Sequence, residues 1–264
     1  KLTEAVGPLH PYDPMRFGAV ERLHREVFER TYIHQTEWLD DYGMWNWPDA
    51  HNYAYDAWAP SARTLHRFWR NSEYQPNRMA YLRYLRSGDP LYWLWATAKF
   101  RHGTDVDAVN YGEDRPVAPY HQRGSTYHCK GTLHWGGNGG VTAHFVTYDW
   151  MLLDYFLSGD PRGRDFVAMW APETVRDCWV GEPERETCVP ASELAYAYQH
   201  FRDARLLKPI THARDAAMQA PIEDFLAVPW MSQMFWYRMH AYCGDPRVRE
   251  RMIAHWGDGT VKKR

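Results

Sequence analysis

One short phrase, which occurs three times, constrains the fold of this chain more than any other feature. It reads Ser-Gly-Asp-Pro at residues 87–90 and 158–161, and Cys-Gly-Asp-Pro at residues 243–246. Glycine suits the left-handed conformation that ends a helix, aspartate accepts the free N–H groups that begin the next one, and proline fits the first helical turn. Each copy lies between runs of apolar and aromatic residues. The sequence therefore predicts repeated helical hairpins joined by tight corners.

Apolar residues recur at helical spacing along most of the chain, and almost no segment alternates with the period of a strand. Besides the helices that flank the corners, the pattern predicts helices over residues 15–31, 191–205 and 212–219, and roughly nine or ten in all. Antiparallel hairpins of this kind stack into a solenoid or close into an α/α toroid. Because a closed ring needs more chain than 264 residues provide, we expect an all-α fold of antiparallel helical hairpins that form an incomplete α/α toroid.

Length, charge and composition limit the domains and the partners. The 264 residues contain no linker-like run of Gly, Ser or Pro, so we expect residues 1–264 to form a single α/α-toroid-like domain, complete or cut from a larger protein. The net charge of −2 and the lack of a dense Lys/Arg stripe argue against nucleic acid as a partner. No apolar stretch has membrane-spanning length, so we expect no membrane insertion.

The four cysteines, at positions 129, 178, 188 and 243, form no CxxC pair, which argues against a zinc ribbon. Cys178 and Cys188 flank a short polar loop, which suits a disulfide. Free thiols are the equally weighted alternative.

Two segments interrupt the helical pattern, at residues 36–58 and 103–140. Both are rich in Trp, Tyr and His, which disordered segments lack, and long ordered loops are usually functional. We therefore expect the functional residues on these loops, at the ends of the hairpins away from the corners. The chain's 14 Trp and 18 Tyr favour stacking against sugar rings, with packing between helices as the alternative.

Two polar clusters contain most of the chemically active residue types. The first begins just before the second segment, and the second extends just past its end. Their spacing fits neither a phosphate-binding loop nor the dinucleotide-binding pattern, and no nucleophile elbow occurs. The glycines of the second cluster would allow a ligand to approach the backbone closely. The first cluster contains Arg101, His102, Asn110 and Tyr111, and the second contains Tyr127, His128, His134 and Trp135, with His144 following it.

Metal binding has some support in the sequence. His128, His134 and His144 are candidates to converge on a transition metal, although no HExxH motif is present. Asp105 and Asp107 resemble the start of a calcium loop, but the other ligands of that loop are missing. These carboxylates have the alternative role of bracing the backbone. We expect no cofactor, with Ca²⁺ as the alternative that the carboxylates leave open.

The corners and three further motifs together resemble the α/α-toroid domain of the exo-acting rhamnogalacturonan lyase-like polysaccharide lyases. The motifs are Asp-Tyr-Gly…Trp at residues 41–45, Arg-His…Asp-Val-Asp at residues 101–107 and His-Trp-Gly-Gly…His at residues 134–144. The resemblance covers about residues 37–160. It implies β-elimination on a uronic-acid-containing polysaccharide or oligosaccharide, an extracellular or periplasmic location, and further β-domains in the parent protein.

This reaction needs a positive group at the substrate carboxylate, a base for the C5 proton and an acid for the leaving oxygen. Our hypothesis assigns Arg101, together with His102, to the carboxylate, because a guanidinium binds carboxylates with a planar pair of donors. The remaining roles fall on both segments: His128 or His134 as base, Tyr127 or Tyr111 as acid, Trp45, Trp47 and Trp135 as sugar platforms, and Asp49, Asn110 and His144 as further substrate-binding residues.

Three rival functions stay open from the sequence, the third being a helical repeat that binds protein through an exposed apolar concave face. A glycoside hydrolase on the same fold would use two carboxylates, for which Asp41, Asp49, Asp105 and Asp107 are available. A non-catalytic carbohydrate-binding module would use the same aromatic platforms without turnover.

Overall fold

The structure is a computed structural model, and it describes residues 6, 9–33, 50–51, 69–70, 76–107, 126–127, 141–142, 148–177, 185–219 and 229–257. Within these residues, helices dominate and the strands are only two residues long, which confirms the prediction of an all-α fold. The arrangement of the hairpins in an incomplete toroid stays a prediction. Across the described part of the chain, no helix is both long and apolar enough to cross a membrane.

The helices follow one another along the chain with short corners or longer connections between them. They are α1 (Pro14–Ile33), α2 (Pro76–Ser87), α3 (Pro90–His102), α4 (Asp149–Ser158), α5 (Pro161–Asp177), α6 (Arg185–Phe201), α7 (Leu207–Gln219), α8 (Pro229–Cys243) and α9 (Pro246–Gly257). A π-helical turn over Gly103–Asp107 continues α3, and a 3-10 turn over Ala204–Leu206 precedes α7.

The strands form two short ladders. They are β1 (Ala50–His51), β2 (Trp69–Arg70), β3 (Thr126–Tyr127) and β4 (Val141–Thr142). In the first ladder β1 and β2 are antiparallel, with Ala50 opposite Arg70, and β3 pairs with β4 in the second.

The three corners have the geometry that the sequence predicts. Their glycines have positive φ angles of 72°, 77° and 64°, at Gly88, Gly159 and Gly244. The aspartate that follows each glycine accepts a backbone N–H from the first turn of the next helix. At the second corner, for example, the N–H of Arg162 donates to Oδ1 of Asp160 at 2.9 Å. The corners therefore join α2 to α3, α4 to α5, and α8 to α9.

The contacts divide the chain into two compact units. Unit 1 consists of Lys1–Val141 and Trp150–Phe166, and unit 2 consists of Thr142–Asp149 and Val167–Arg264. The expectation of a single domain over residues 1–264 stays a prediction.

Unit 1 has an aromatic core in which α1 meets α3. The ring of Phe28 lies 4.3 Å from that of Tyr92 and 5.2 Å, edge to face, from that of Trp95. Nearby, the buried carboxylate of Glu21 pairs with the guanidinium groups of Arg83 and Arg86, which tie α1 to α2. Charged and aromatic contacts thus both fix the first helix against the hairpin of α2 and α3.

Unit 2 is built around α6, which packs against α7 and α8, and α8 in turn packs against α9. The sequence predicted a helix over residues 191–205, but α6 begins at Arg185 and contains Pro190 in its interior. It ends at Phe201 because Arg202 takes a positive φ of 55°. The helix predicted over residues 212–219 begins earlier, as α7 at Leu207.

Candidate functional site

Helix α3 positions the first cluster of candidate residues. It begins where Oδ1 of Asp89 accepts the N–H of Leu91 at 2.9 Å, with Pro90 in the first turn. Its last turn contains Lys99, Arg101 and His102, and positive charge there is favoured by the helix dipole. The helix therefore delivers three basic side chains to the point where the second long segment starts.

One face of α3 is buried and carries an unusual set of side chains. Trp95, Lys99 and His102 fall within an arc of about 60°, because successive residues turn by about 100°. Lys99 and His102 are each 1% exposed, and the Nζ atom of Lys99 lies 4.5 Å from the centroid of the Trp95 ring. Among the described residues, the indole Nε1 of Trp95 has no hydrogen-bond acceptor. We call these three residues the α3 basic face.

Arg101 lies on a different side of the same helix. Its guanidinium donates to Oδ2 of Asp160, in the second corner, at 3.4 Å, and its side chain is 44% exposed. Its assigned role at a substrate carboxylate stays a prediction.

A second ion pair fixes the π-helical turn that follows α3. Oδ2 of Asp105 accepts a hydrogen bond from Nη1 of Arg162 at 2.8 Å, and the backbone of Gly103 runs directly against the ring of Trp150. The start of the 103–140 segment is thus anchored beside the second corner. The segment therefore leaves the α2–α3 hairpin at the end away from that hairpin's own corner, where it meets the corner between α4 and α5.

Most of the other residues assigned to the site lie outside the described residues. Tyr127 is in β3, whose pairing with β4 brings together the two ends of the 128–140 stretch. Nothing in the structure tests the roles of the rest, which stay predictions: Trp45, Trp47, Asp49, Asn110, Tyr111, His128, His134, Trp135 and His144.

Two observations concern the metal sites that the sequence suggested. Within them, no group of three or more His, Cys, Asp or Glu side chains is arranged to hold a metal ion. The carboxylate of Asp105, one of the two candidate calcium ligands, is bonded to Arg162.

Sequence reasoning missed a buried ionic cluster in unit 2. The guanidinium of Arg238, in α8, lies between the carboxylates of Asp149 and Glu193, and all three side chains are at most 2% exposed. Oε2 of Glu193 also accepts the backbone N–H groups of Tyr148 at 2.7 Å and Asp149 at 3.1 Å. Glu193, from α6, therefore caps the start of α4. It fixes the backbone shortly after His144, the last of the predicted site residues.

Burial sets the ionisation of this cluster. It raises the pKa of Glu193 to about 7, against the opposing effect of the Arg238 charge. Burial likewise raises the pKa of Tyr242, against the opposing effect of the Arg238 charge. The ring of Tyr196 lies 5.6 Å from the Arg238 guanidinium, which encloses the cation further. The cluster holds unit 2 together and has no visible access for a ligand among the described residues.

A buried pair in unit 1 links α2 to α4. The phenol of Tyr81 donates to Oδ1 of Asp154 at 2.6 Å, and Oγ of Ser158 donates to the other carboxylate oxygen at 3.3 Å. Burial raises the pKa of both Tyr81 and Asp154. Both side chains are buried. Their hydrogen bond holds α2 against α4.

Cys188, in α6, is a free and buried thiol. Burial raises its pKa to about 12, so it is protonated and unreactive at neutral pH. The free-thiol alternative therefore holds for Cys188, and its predicted disulfide partner, Cys178, lies outside the described residues.

No family model, no curated protein and no solved structure matches the chain.

The sequence could have indicated the α3 basic face, because Trp95, Lys99 and His102 have the i, i+4, i+7 spacing of one helical face. We singled out Arg101 and His102 from their residue types and overlooked Lys99. The Arg238 cluster had no comparable signal, since its partners are 45 and 89 residues away in sequence.

Proposed function

We propose that the chain is a carbohydrate-active enzyme, a polysaccharide lyase that cleaves a uronic-acid-containing polysaccharide by β-elimination. The observation that supports this most is the end of α3. There the imidazole of His102 is buried, next to a helix end that is held by the pairs Arg101–Asp160 and Asp105–Arg162. Residues 108–140, with their Tyr, His and Trp side chains, follow directly. A rigid support beside such a segment suits acid–base chemistry on a bound sugar.

The reaction needs no oxidant or second substrate. A base, His128 or His134, removes the proton from C5 of the uronic acid. The electron pair forms the C4–C5 double bond while the bond from C4 to the glycosidic oxygen breaks. An acid, Tyr127 or Tyr111, gives its proton to that oxygen. A positive group opposite the carboxylate stabilises the charge that builds up as C5 loses its proton.

The rival hydrolase mechanism is less well supported by the described residues. It needs two carboxylates on either side of the glycosidic bond, and Asp105, one of the four candidates, is bonded to Arg162. The proposed partner is an acidic polysaccharide, and the proposed location is extracellular or periplasmic.

The decisive experiment is to incubate the protein with polygalacturonate, rhamnogalacturonan, alginate and hyaluronan, and to follow products by ultraviolet absorbance and mass. We expect an unsaturated uronide from at least one polymer. Replacing the catalytic base, by His128→Ala or His134→Ala, should lower the rate roughly 100-fold or more. His212→Ala, at an exposed position in α7, is the matched control and should keep the full rate.

Each other result has a definite meaning. If both histidine variants keep the full rate, the assignment of the base is wrong. Products without a new double bond identify a hydrolase. Stabilisation of the protein by a polymer without any turnover identifies a binding module.

A further inference from the structure

Two helical segments of unit 2 begin with an aspartate and an arginine that pair with each other. The carboxylate of Asp203 accepts the backbone N–H of Arg205 at 2.9 Å. Asp245 accepts that of Arg247 at 3.0 Å. In both cases the arginine side chain also folds back onto the same carboxylate, with Nε donating to Oδ1 at 3.0 Å and Nη2 to Oδ2 at 2.6 Å. The spacing Asp-x-Arg at a helix start therefore forms its own ion pair twice in this chain.

The start of α5 has the same spacing and the same backbone cap, but its side chains pair differently. The backbone N–H of Arg162 donates to Oδ1 of Asp160 at 2.9 Å, as at the other two starts. The guanidinium of Arg162, however, donates to Asp105 at 2.8 Å. Asp160 accepts instead from Arg101 at 3.4 Å. These two cross pairs link the end of α3 and its π-helical turn to the second corner, and all four groups belong to unit 1.

We propose that these four side chains form a latch that exchanges partners between two arrangements. In the docked arrangement, which the structure shows, the cross pairs join α3 to the second corner. In the released arrangement, Arg162 pairs with Asp160, as the arginines at the other two starts pair with their own aspartates. Arg101 then pairs with Asp105, which lies about one helical turn further along. Each arrangement contains two ion pairs, so the exchange leaves no charge without a partner.

The exposure and geometry of the pairs allow both arrangements to be populated. The four side chains are between 35% and 44% exposed, and ion pairs in contact with water contribute little to stability. Each cross pair is a single hydrogen bond, whereas the pairs at Asp203 and Asp245 use both carboxylate oxygens, which is the stronger geometry. Exposed side chains also change rotamer quickly. Neither arrangement therefore has a large advantage in free energy.

The neighbouring backbone limits how far the released arrangement extends. Thr104 is buried and donates to the carbonyl oxygen of Phe100 at 3.0 Å. A Cβ atom at Gly103 would lie 2.4 Å from the ring of Trp150. These contacts hold the beginning of the π-helical turn in both arrangements, so the change is confined to Asp105 and the rest of the turn. Turns of this kind are often found at functional sites. The inference does not depend on the proposed function; in a lyase, release would remove the support described above.

Two double variants with the same net charge separate the arrangements. The released variant, Arg101→Asp with Asp105→Arg, keeps opposite charges in both pairs of the released arrangement and places like charges together in both cross pairs. The docked variant, Asp105→Arg with Arg162→Asp, keeps opposite charges in both cross pairs and places like charges together in the released arrangement. The control is Arg22→Glu with Glu26→Arg, which reverses an exposed ion pair within α1.

The measurement is amide hydrogen exchange at residues 105–107, expressed as protection relative to the unfolded peptide. We expect the docked variant to be the most protected and the released variant the least, with roughly a tenfold difference between them. Wild type should lie between the two, because it populates both arrangements, and the control should match wild type. Circular dichroism of each variant establishes that it is folded.

A wild type that is as protected as the docked variant overturns the inference, because a released arrangement then has no measurable population. Equal protection in wild type and both variants overturns it as well, since the ion pairs then do not control the turn. If the docked variant fails to fold, Arg101→Asp with Asp160→Arg, which also keeps opposite charges in both cross pairs, takes its place. A protein that cleaves no polysaccharide but shows the expected order of protection retains the latch and loses only the proposed function.

Discussion

Arg238 illustrates how much a single buried side chain contributes to unit 2. It is enclosed by Asp149, Glu193 and the ring of Tyr196, and Ser192 accepts a further hydrogen bond from it at 3.3 Å. Taking these charges out of water is costly, so the cluster need not add net stability. Removing one member is different, because it leaves the others buried without their counter-charge.

We therefore expect Arg238→Met to lower the free energy of unfolding by about 3–5 kcal/mol. Urea denaturation followed by circular dichroism measures the change. The matched control is Arg205→Met, which breaks an exposed ion pair with Asp203 and should leave the denaturation midpoint unchanged. Equal midpoints for the two variants would show that Arg238 is replaceable.

At the scale of helices, replacing glycine by alanine should have opposite effects on stability at two positions. A Cβ atom at Gly163, in the first turn of α5, would collide with the backbone carbonyl oxygen of Met151 and press on the ring of Phe100. A Cβ atom at Gly18, in α1, would meet nothing within 4 Å. The close approach of α5 to α4 thus depends on Gly163.

Gly163→Ala should destabilise the protein by about 2 kcal/mol or more, because backbone has to move. Gly18→Ala should stabilise it by about 0.5–1 kcal/mol, because alanine loses less conformational freedom in a helix. Thermal denaturation of the two variants gives the signs directly. A Gly163→Ala protein as stable as wild type would mean that α4 and α5 separate easily.

Local chemistry explains which elements the sequence could predict. Each corner needs only a glycine, an aspartate and a proline in adjacent positions, so all three corners were predictable. The start of α6 was not, because Pro190 reads as a first-turn residue, whereas the helix begins five residues earlier, at Arg185. Its end at the positive φ of Arg202 also has no signal in residue type.

At the scale of the whole molecule, stability should depend on pH through groups with opposite effects. Burial raises the pKa of Glu193 to about 7 from 4.5, so between these values the folded state binds more protons than the unfolded state. This contribution is fully present below pH 4.5 and is lost as the pH rises through 7. Burial lowers the pKa of His24 and His200, and their contribution therefore grows as the pH rises.

Because these effects overlap, we expect the difference between wild type and Glu193→Gln to isolate the carboxyl group. The free energy of unfolding of wild type, relative to that of the variant, should fall as the pH rises from about 4.5 to 7. Urea denaturation at a series of pH values measures it. A difference that stays constant over this range would mean that Glu193 is ionised throughout.

The candidate site was predictable in residue types and less so in geometry. His102 and the α3 end could be found because basic and aromatic residues cluster there in sequence. The partners Asp160 and Arg162 could not, since ion pairs across 59 and 57 residues, respectively, leave no periodic trace. Lys99 could be found only from the residues that share one face of α3, and not from those next to it in sequence.

The cap that Glu193 places on α4 has a consequence for how the chain is made. Tyr148 and Asp149 are synthesised before Glu193, which is 44 residues beyond Asp149. During that interval the first turn of α4 lacks the acceptor for its leading N–H groups. The start of α4 therefore gains its cap only after the part of α6 that contains Glu193 has been synthesised.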